Sequence, residues 1–389
     1  MEKEMKNGII TLALTNCQAV LEDGILFDAC ILIAGDRIAA VDKAENITVP
    51  EGAEIIDAKG RYVGPGFVDI HVHGVNGKNI NFETEEVAEY YLTHGTTSIL
   101  ASPWYKLDFE TFLSAIRSVK ENMKKAPTVK GFYMEGPYTN QKYGSHAAEN
   151  PWREGIKEDE MRALVDEAGG YAKVWTIAPE LENIRAFCEY AKGVNPGTVL
   201  AVGHSEATPM QIKALGRYKP TLATHTTNAT GKISGGGGVI GYGPDEFALK
   251  DPEVFCELIS DSRGIHVHRE IQQLILHAKG VDKVVLITDG SLFGNPPPPK
   301  YKGVTDLNFS PAGEIAGSKL TMNVACKNVM SHTRVGITEA FLMASRNPAR
   351  VIGLDSEIGT VEAGKIADLV IVDDRFNVEG VILGGKKVR

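Results

Sequence analysis

Two histidines separated by one residue, His71 and His73, are the strongest chemical signal in the chain. They end the apolar run VGPGFVDIHVHG, which is typical of a β-strand, and side chains two apart in a strand point to the same side. One divalent cation can satisfy two buried neutral imidazoles at once, because each offers a nitrogen lone pair. The motif alone fits two packed histidines equally well, so its interpretation depends on the rest of the chain.

Four more imidazole or carboxylate side chains end later apolar runs, namely Glu135, His204, His225 and Asp289. In a β/α barrel the catalytic side chains lie at the C-terminal ends of the strands. A single carboxylate at such a position is commonly a helix cap or a surface charge. Six groups converging on one barrel mouth indicate instead a metal site.

The elements that must position these residues alternate between apolar runs and predicted helices. Eight runs occur in the middle of the chain, namely VGPGFVDIHVHG, TTSILASPW, VKGFYMEGPY, AKVWTIAPE, TVLAVGHS, TLATHTTN, VFCELISD and KVVLITDG. Helix signals follow most of them, for example a capping box with proline in the first turn from Thr208 to Gln211 and a helix from Thr84 to His94. Eight βα units predict an α/β fold, a (β/α)8 TIM-type barrel.

Both ends of the chain have a different pattern, in which short alternating strands follow one another without helices between them. Chain termini commonly lie close together, so both ends can build one small β-sandwich. We therefore predict a β-sandwich domain from residues 1–62 with 356–389. Residues 63–355 are predicted to form the metal-dependent hydrolase barrel domain.

The composition limits which binding partners and which cellular compartment are expected. The 389 residues carry a net charge of -9 without a lysine and arginine stripe, which argues against a nucleic-acid partner but leaves room for a small anionic substrate. No run approaches the roughly 18 apolar residues of a membrane span, and the start MEKEMKNGIITLALTN is unlike a secretory signal. We expect a cytoplasmic protein without a membrane partner. Its five cysteines lack a CxxC pattern, so reduced packing residues are expected.

The chain resembles the amidohydrolase superfamily and, within it, the N-acetylglucosamine-6-phosphate deacetylase family. The resemblance begins at VGPGFVDIHVHG and continues in the family's order over nearly the whole chain. The matching segments are HGTTSIL, GFYMEGPY, IAPE, VGHSEAT, ATHTTNAT, GIHVH, LITDG, GEIAGSKLTM and NPARVIGL followed by GTVEAGKIADLVIVD. The resemblance implies deacetylation of an N-acetyl amino sugar phosphate, with N-acetylglucosamine 6-phosphate converted to glucosamine 6-phosphate and acetate.

The resemblance also implies roles for individual residues. Glu135, His204 and His225 match the ligands of the main metal, and His71 and His73 match those of a second site that only some members have. One or two divalent ions are therefore expected, with zinc first and iron, manganese or cobalt compatible. Asp289 matches the general base and acid. The implied substrate contacts are His146, Asn228, Ala229 and His266, and the implied assembly is a homodimer.

Two departures from the family's pattern concern the substrate. The bulky neighbours of Asn228 are replaced by threonines, and the family's phosphate-binding arginine is absent from ATGKISGGGGVIGYG. In ISDSRGIHVH the pair Ser262 and Arg263 looks like an insertion. We hypothesise that Arg263, with Lys232, takes over phosphate binding, since a guanidinium can bind phosphate bidentately. A solvated loop arginine fits the sequence equally well.

Other functions remain open from the sequence. An amidohydrolase acting on another amide, a cyclic amide or an unphosphorylated N-acetyl sugar fits the same metal residues. Dihydroorotase-like and hydantoinase-like members usually carry a carboxylated lysine on the fourth strand, where KVWTIAPE has none at its end. A non-catalytic barrel scaffold is a candidate from another class, but all five predicted metal ligands and Asp289 are present.

Overall fold

Eight parallel strands form a barrel in the computed structural model, which describes residues 8–145, 150–152, 155–231, 234–236 and 239–389. They are β6 (Phe67–Val72), β9 (Thr96–Ala101), β10 (Val129–Met134), β11 (Ala172–Ile177), β12 (Val199–Val202), β13 (Leu222–Ala223), β16 (Phe255–Leu258) and β17 (Val284–Leu286). A parallel bridge between Val72 and Gly290 joins the first strand to the last. The prediction of a TIM-type barrel is confirmed, and each of the eight apolar runs contributes one strand.

The barrel is filled by side chains and closed around a core. One buried cluster takes apolar side chains from β6 to β17, among them Ile70, Tyr133 and Val285. All six residues of β6 are buried, as expected for a strand covered on both faces. Two further buried clusters pack the outer helices against the strands.

Helices follow most of the barrel strands and surround the barrel. They are α1 (Thr84–Thr93), α2 (Phe109–Asn122), α3 (Glu158–Ala168), α4 (Ile184–Val194), α5 (Pro209–Ala214), α6 (Pro244–Lys250), α7 (Arg269–Lys279), α8 (Met322–Thr333), α9 (Ile337–Phe341) and α10 (Asn347–Val351). The predicted capping box is present at α5, where the Thr208 hydroxyl accepts from the Gln211 N–H and the Gln211 side chain accepts from the Thr208 N–H.

Strands from both ends of the chain form a second sheet. Its order is β22-β21-β20-β5-β1-β2-β3, with β4 added to β1. The bounds are β1 (Ile10–Leu21), β2 (Gly24–Ala34), β3 (Arg37–Lys43), β4 (Glu54–Asp57), β5 (Tyr62–Pro65), β20 (Leu369–Val372), β21 (Val378–Leu383) and β22 (Lys386–Lys387). The expected β-sandwich from both termini is therefore confirmed, with its own apolar core around Leu14, Ile31 and Leu369.

Within the described residues, three short hairpins project from the barrel, and one of them contributes residues to the site cavity. They are β7 (Gly74–Val75) with β8 (Lys78–Asn79), β14 (Ser234–Gly236) with β15 (Val239–Ile240), and β18 (Leu307–Phe309) with β19 (Ile315–Ser318). Ser318 forms a bridge to Gly290 and thereby places the third hairpin beside the end of β17.

All five cysteines are at described positions, where each is buried and outside any disulfide, as expected for packing residues. The helices of the described residues are all too short or too polar to cross a bilayer.

Candidate active site

The six predicted groups meet at the C-terminal mouth of the barrel. His71 lies within β6, and His73 and Glu135 directly follow β6 and β10. The other three, His204, His225 and Asp289, come two or three residues after β12, β13 and β17. All six side chains are buried, and all except His71 line one cavity. The side chains that the sequence pattern assigned to one site are thus neighbours in space.

Glu135 links two pairs of histidines. Its Oε1 lies 2.8 Å from Nε2 of His204 and 3.1 Å from Nε2 of His225. Its Oε2 lies 3.3 Å from Nε2 of His73, and Oε1 is 3.7 Å from Nε2 of His71. Two groups able to hold a metal ion therefore share one carboxylate: His71, His73 and Glu135, and Glu135, His204 and His225.

The ring nitrogens have the orientation that metal ligation needs. Nδ1 of His73 lies 2.8 Å from the carbonyl oxygen of Ser102, and Nδ1 of His225 lies 3.2 Å from that of Asn228. A carbonyl can only accept, so each Nδ1 carries a proton, and in the neutral imidazole each Nε2 presents its lone pair to the site. The Nε2 atoms of His71 and His73 are 3.2 Å apart, and those of His204 and His225 are 3.1 Å apart.

Lone pairs this close repel one another unless a proton or a cation lies between them. The donor set of imidazole nitrogens and one carboxylate suits a divalent ion such as those of catalytic hydrolase sites. The residues present therefore fit a divalent metal centre.

The charges of the site depend strongly on one another. Burial disfavours the imidazolium form of His73, but Asp289 and Glu135 outweigh it and raise the pKa of His73 to about 10. Burial opposes the charge of His225 in the same way, yet Glu135 raises its pKa to about 9. Burial alone would also raise the pKa values of Glu135 and Asp289. His204 instead holds the pKa of Glu135 well below its usual value, and His73 lowers the pKa of Asp289. The carboxylates are ionised and ready to balance a bound cation.

Backbone strain is concentrated at three of these residues. His204, His225 and Asp289 have φ angles of +45°, +28° and +48°, in the left-handed region that residues with a Cβ rarely adopt. Each comes just after its strand has ended, where the chain turns out of the barrel wall. Strain of this kind persists where the surrounding structure holds it and often marks functional positions.

Two buried carboxylates beneath the site escaped the sequence analysis. Glu257 on β16 is fully buried, accepts a 2.9 Å hydrogen bond from the backbone N–H of His225, and lies 3.4 Å from Nδ1 of His71. Asp69 on β6 accepts hydrogen bonds from the hydroxyl and the N–H of Thr288, which ties the first strand to the last. Burial raises the pKa of Asp69 to about 7. Both could have been identified from the sequence, because each is an acidic residue within an apolar run, Glu257 in VFCELISD and Asp69 in GFVDIHV.

The cavity above the metal ligands has an empty volume of about 590 Å³. Asn228, Ala229 and His266, three of the predicted substrate contacts, line it. The side-chain amide of Asn228 donates a 2.7 Å hydrogen bond to the carbonyl of His266, which joins the loops after β13 and β16. Burial lowers the pKa of His266, so its imidazole is neutral at pH 7. The structure thus brings Asn228, Ala229 and His266 together beside the metal ligands.

Three further predicted residues remain, namely His146, Lys232 and Arg263. His146 and Lys232 are outside the described residues. Arg263 is exposed on the loop after β16, donates to the carbonyl of Lys302 at 3.2 Å, and is not one of the residues that line the cavity. Lys106, which the sequence analysis did not select, does line it.

Comparison with known proteins agrees with the site. Residues 62–388 match the model of the amidohydrolase family. The N-acetylglucosamine-6-phosphate deacetylase of Haemophilus influenzae is 31% identical over 395 residues, covering 96% of this chain and 98% of the relative. The N-acetylgalactosamine-6-phosphate deacetylase of Escherichia coli O157:H7 is 28% identical over 381 residues, covering 94% and 96%.

A solved structure extends the similarity to three dimensions. It is a mutant N-acetyl-D-glucosamine-6-phosphate deacetylase from Mycobacterium smegmatis in complex with N-acetyl-D-glucosamine-6-phosphate, with a TM-score of 0.82 and 25% identity over 98% of this chain and 100% of that one. The relatives and the solved structure match nearly the full length, and the family model matches residues 62–388. The chain belongs to the amidohydrolase family.

Proposed function

We propose that the chain removes the acetyl group from an N-acetyl amino sugar phosphate, converting N-acetylglucosamine 6-phosphate to glucosamine 6-phosphate and acetate. The observation that carries the proposal is the position of Glu135 between two histidine pairs, with Asp289 beside them at the cavity. This arrangement suits hydrolysis of an amide. The deacetylases found as relatives support the choice of substrate.

The metal ligands are divided between two positions. Glu135, His204 and His225 would hold the main ion, and His71, His73 and Glu135 would hold another. We favour zinc, although iron, manganese or cobalt suit the same donors. When bound, such an ion would lower the pKa of water to about 7 and would polarise the amide carbonyl.

Asp289 performs the proton transfers. It is ionised at neutral pH, because its pKa is lowered, and its Oδ1 lies 3.4 Å from Nε2 of His73. It takes a proton from the attacking water while the water oxygen bonds to the carbonyl carbon. The same carboxyl gives that proton to the amine nitrogen as the C–N bond breaks, because an amide anion is too basic to leave. The products are acetate and the amino sugar.

The sugar is assigned to the loops after β10, β13 and β16. Asn228, Ala229 and His266 line the cavity there, and His146 is assigned by family resemblance. Arg263 with Lys232 is proposed for the phosphate. For Arg263 this requires the guanidinium to exchange the carbonyl of Lys302 for the substrate.

The family resemblance supports a homodimer, whereas the compartment and the domain bounds rest on the composition and on the strand pattern. We propose a cytoplasmic homodimer whose chain divides into a sandwich domain of residues 1–62 with 356–389 and a barrel domain of residues 63–355.

The deciding experiment measures acetate released from a panel of N-acetyl sugars. The panel contains the gluco and galacto epimers, each with and without the 6-phosphate, because the relatives include deacetylases of both epimers. Protein loaded with zinc is compared with protein stripped by a chelator. We expect metal-dependent release that is fastest from N-acetylglucosamine 6-phosphate. Release only from unphosphorylated sugars, or from none of the panel, would reject the proposed substrate.

A further inference from the structure

The active-site cavity has two unlike walls. On one side the rings of Trp104 and Phe293 lie parallel, with centroids 5.6 Å apart and planes inclined by 8°. The Trp104 ring is also 5.2 Å from that of the metal-ligand candidate His73. Ile315 and Ala316 line the same cavity. Asn228, Ala229 and His266 also line it and form a polar wall.

The order of the strands separates the two walls along the rim of the barrel. Trp104 follows β9 and Phe293 follows β17, the two strands on either side of β6. The polar wall comes from the loops after β16, which neighbours β17, and after β13, the next strand beyond β16. Glu135, His73 and Asp289, where the amide would react, line the same cavity.

The aromatic wall is held in place by backbone contacts. Trp104 pairs with Glu135 in a parallel bridge, and the N–H of Glu135 donates to the carbonyl of Pro103 at 3.1 Å. Phe293 follows Ser291, whose hydroxyl donates to the carbonyl of Ala316 at 2.5 Å. The positions of both rings are therefore coupled to the metal ligand and to the third hairpin.

An N-acyl amino sugar phosphate has one end that is purely apolar, the alkyl part of its acyl group. Its other end carries hydroxyls and a phosphate, which need polar partners. We infer that Trp104 and Phe293 form the acyl wall of this active site and limit the length of the acyl chain that is accepted. This inference rests on the proposed function, and it places the sugar against the polar wall.

The first test measures acyl-chain selectivity. N-acetyl, N-propionyl and N-butyryl glucosamine 6-phosphate are compared as substrates of wild type, Phe293→Ala and Trp104→Ala. Since one methylene in a hydrophobic pocket changes selectivity by about 10 to 200-fold, we expect the truncations to raise kcat/KM for butyryl relative to acetyl by at least about tenfold. Trp104→Phe should keep the wild-type preference. Phe82→Ala is a matched control, because Phe82 is 44% exposed and is not one of the cavity-lining residues.

A second measurement separates the acyl group from the sugar. Aromatic side chains also stack on sugar rings, and Lys106 near Trp104 could receive a phosphate from a sugar bound there. The acyl wall predicts that the inhibition constant of the product glucosamine 6-phosphate is unchanged in Phe293→Ala. An increase of tenfold or more in that constant, with acyl selectivity unchanged, would overturn the inference and assign the wall to the sugar.

A third measurement does not depend on deacetylation. The chain has three tryptophans, and the other two, Trp152 and Trp175, are only 9% and 1% exposed. Tryptophan fluorescence of the zinc-loaded protein should therefore report on Trp104, with acetate binding more tightly than butanoate, because the wall limits acyl length, and with no response in Trp104→Phe. If no sugar is hydrolysed but this difference is seen, the substrate assignment fails and the acyl wall stands. Equal binding of both carboxylates would contradict the acyl wall whatever the substrate.

Discussion

The carboxylate of Glu257 lies 3.4 Å from Nδ1 of His71, on the side of the ring opposite the candidate metal position. This contact favours the tautomer whose Nδ1 carries the proton, so that Nε2 is free for a metal. Carboxylates that orient a ligand histidine in this way also make it more basic, and their loss commonly lowers metal affinity by about 10 to 100-fold. Glu257 is thus a positioning residue for the second metal position.

We expect Glu257→Gln to weaken the second ion by about 10 to 100-fold and to leave the main ion in place. The glutamine oxygen can still accept the His225 N–H, so the fold should persist. Stepwise calorimetric titration of metal-free protein measures both affinities. Tyr133→Phe is a comparison variant, because it keeps the ring stacked 4.2 Å from His71 and removes a hydroxyl that is bonded to Thr224 and interacts with Glu257. Equal affinities in wild type and Glu257→Gln would show that the contact has no such role.

Asp289→Asn is expected to keep its metal and its thermal stability while turnover falls by about 100 to 10,000-fold, the range for a positioned proton-transfer group. An amide cannot take the proton from water. Steady-state kinetics with metal analysis of the same preparation provides the measurement. Activity within a few-fold of wild type would remove Asp289 from the mechanism.

Replacing both His71 and His73 with alanine should remove the weaker ion and spare the ion held by Glu135, His204 and His225. The reason is that the two groups share only Glu135. Elemental analysis after equilibrium dialysis measures the number of ions per chain. The assignment of two separate positions would be wrong if both ions were lost together, or if active wild-type protein held neither.

Metal-free protein should lose stability as the pH rises from about 6.5 to 10. The pKa of His73 is about 10 in the folded state, against about 6.5 in an unfolded chain. A raised folded-state pKa stabilises the fold fully below pH 6.5, and this contribution disappears as the pH passes 10. Thermal unfolding with a chelator at several pH values tests this. Metal-loaded protein is the control and should lack the decline, since a bound ion keeps the imidazole deprotonated; parallel declines in both samples would contradict the explanation.

The phosphate hypothesis for Arg263 predicts a selective loss. Arg263→Ala should lower kcat/KM for the 6-phosphorylated sugar by more than tenfold, or over about 1.4 kcal/mol, with little change for the unphosphorylated sugar. Lys106→Ala is the informative comparison, because Lys106 lines the cavity and Arg263 does not. The reverse pattern would transfer phosphate binding to Lys106, and equal losses on both substrates would exclude a specific phosphate contact by Arg263.

The sequence determined the barrel and the group of residues at its mouth. Eight apolar runs separated by helix signals leave few other folds, and the carboxyl ends of parallel strands all face one side. For that reason His73, Glu135 and His225 could be predicted as neighbours from their positions at strand ends alone. The capping box at Thr208 was equally predictable, because its hydrogen bonds join residues three apart in the chain.

Only the tertiary structure decided contacts between residues far apart in the chain. Glu257 lies 186 positions from His71 in the sequence, and no local sequence pattern indicates that the two side chains are in contact. Trp104 and Phe293 stack across the first strand because barrel closure makes β9 and β17 its neighbours. The exposed position of Arg263 depends on where its loop packs. Strand ends follow from local periodicity, whereas side-chain partners across the barrel depend on register and closure, which are properties of the whole fold.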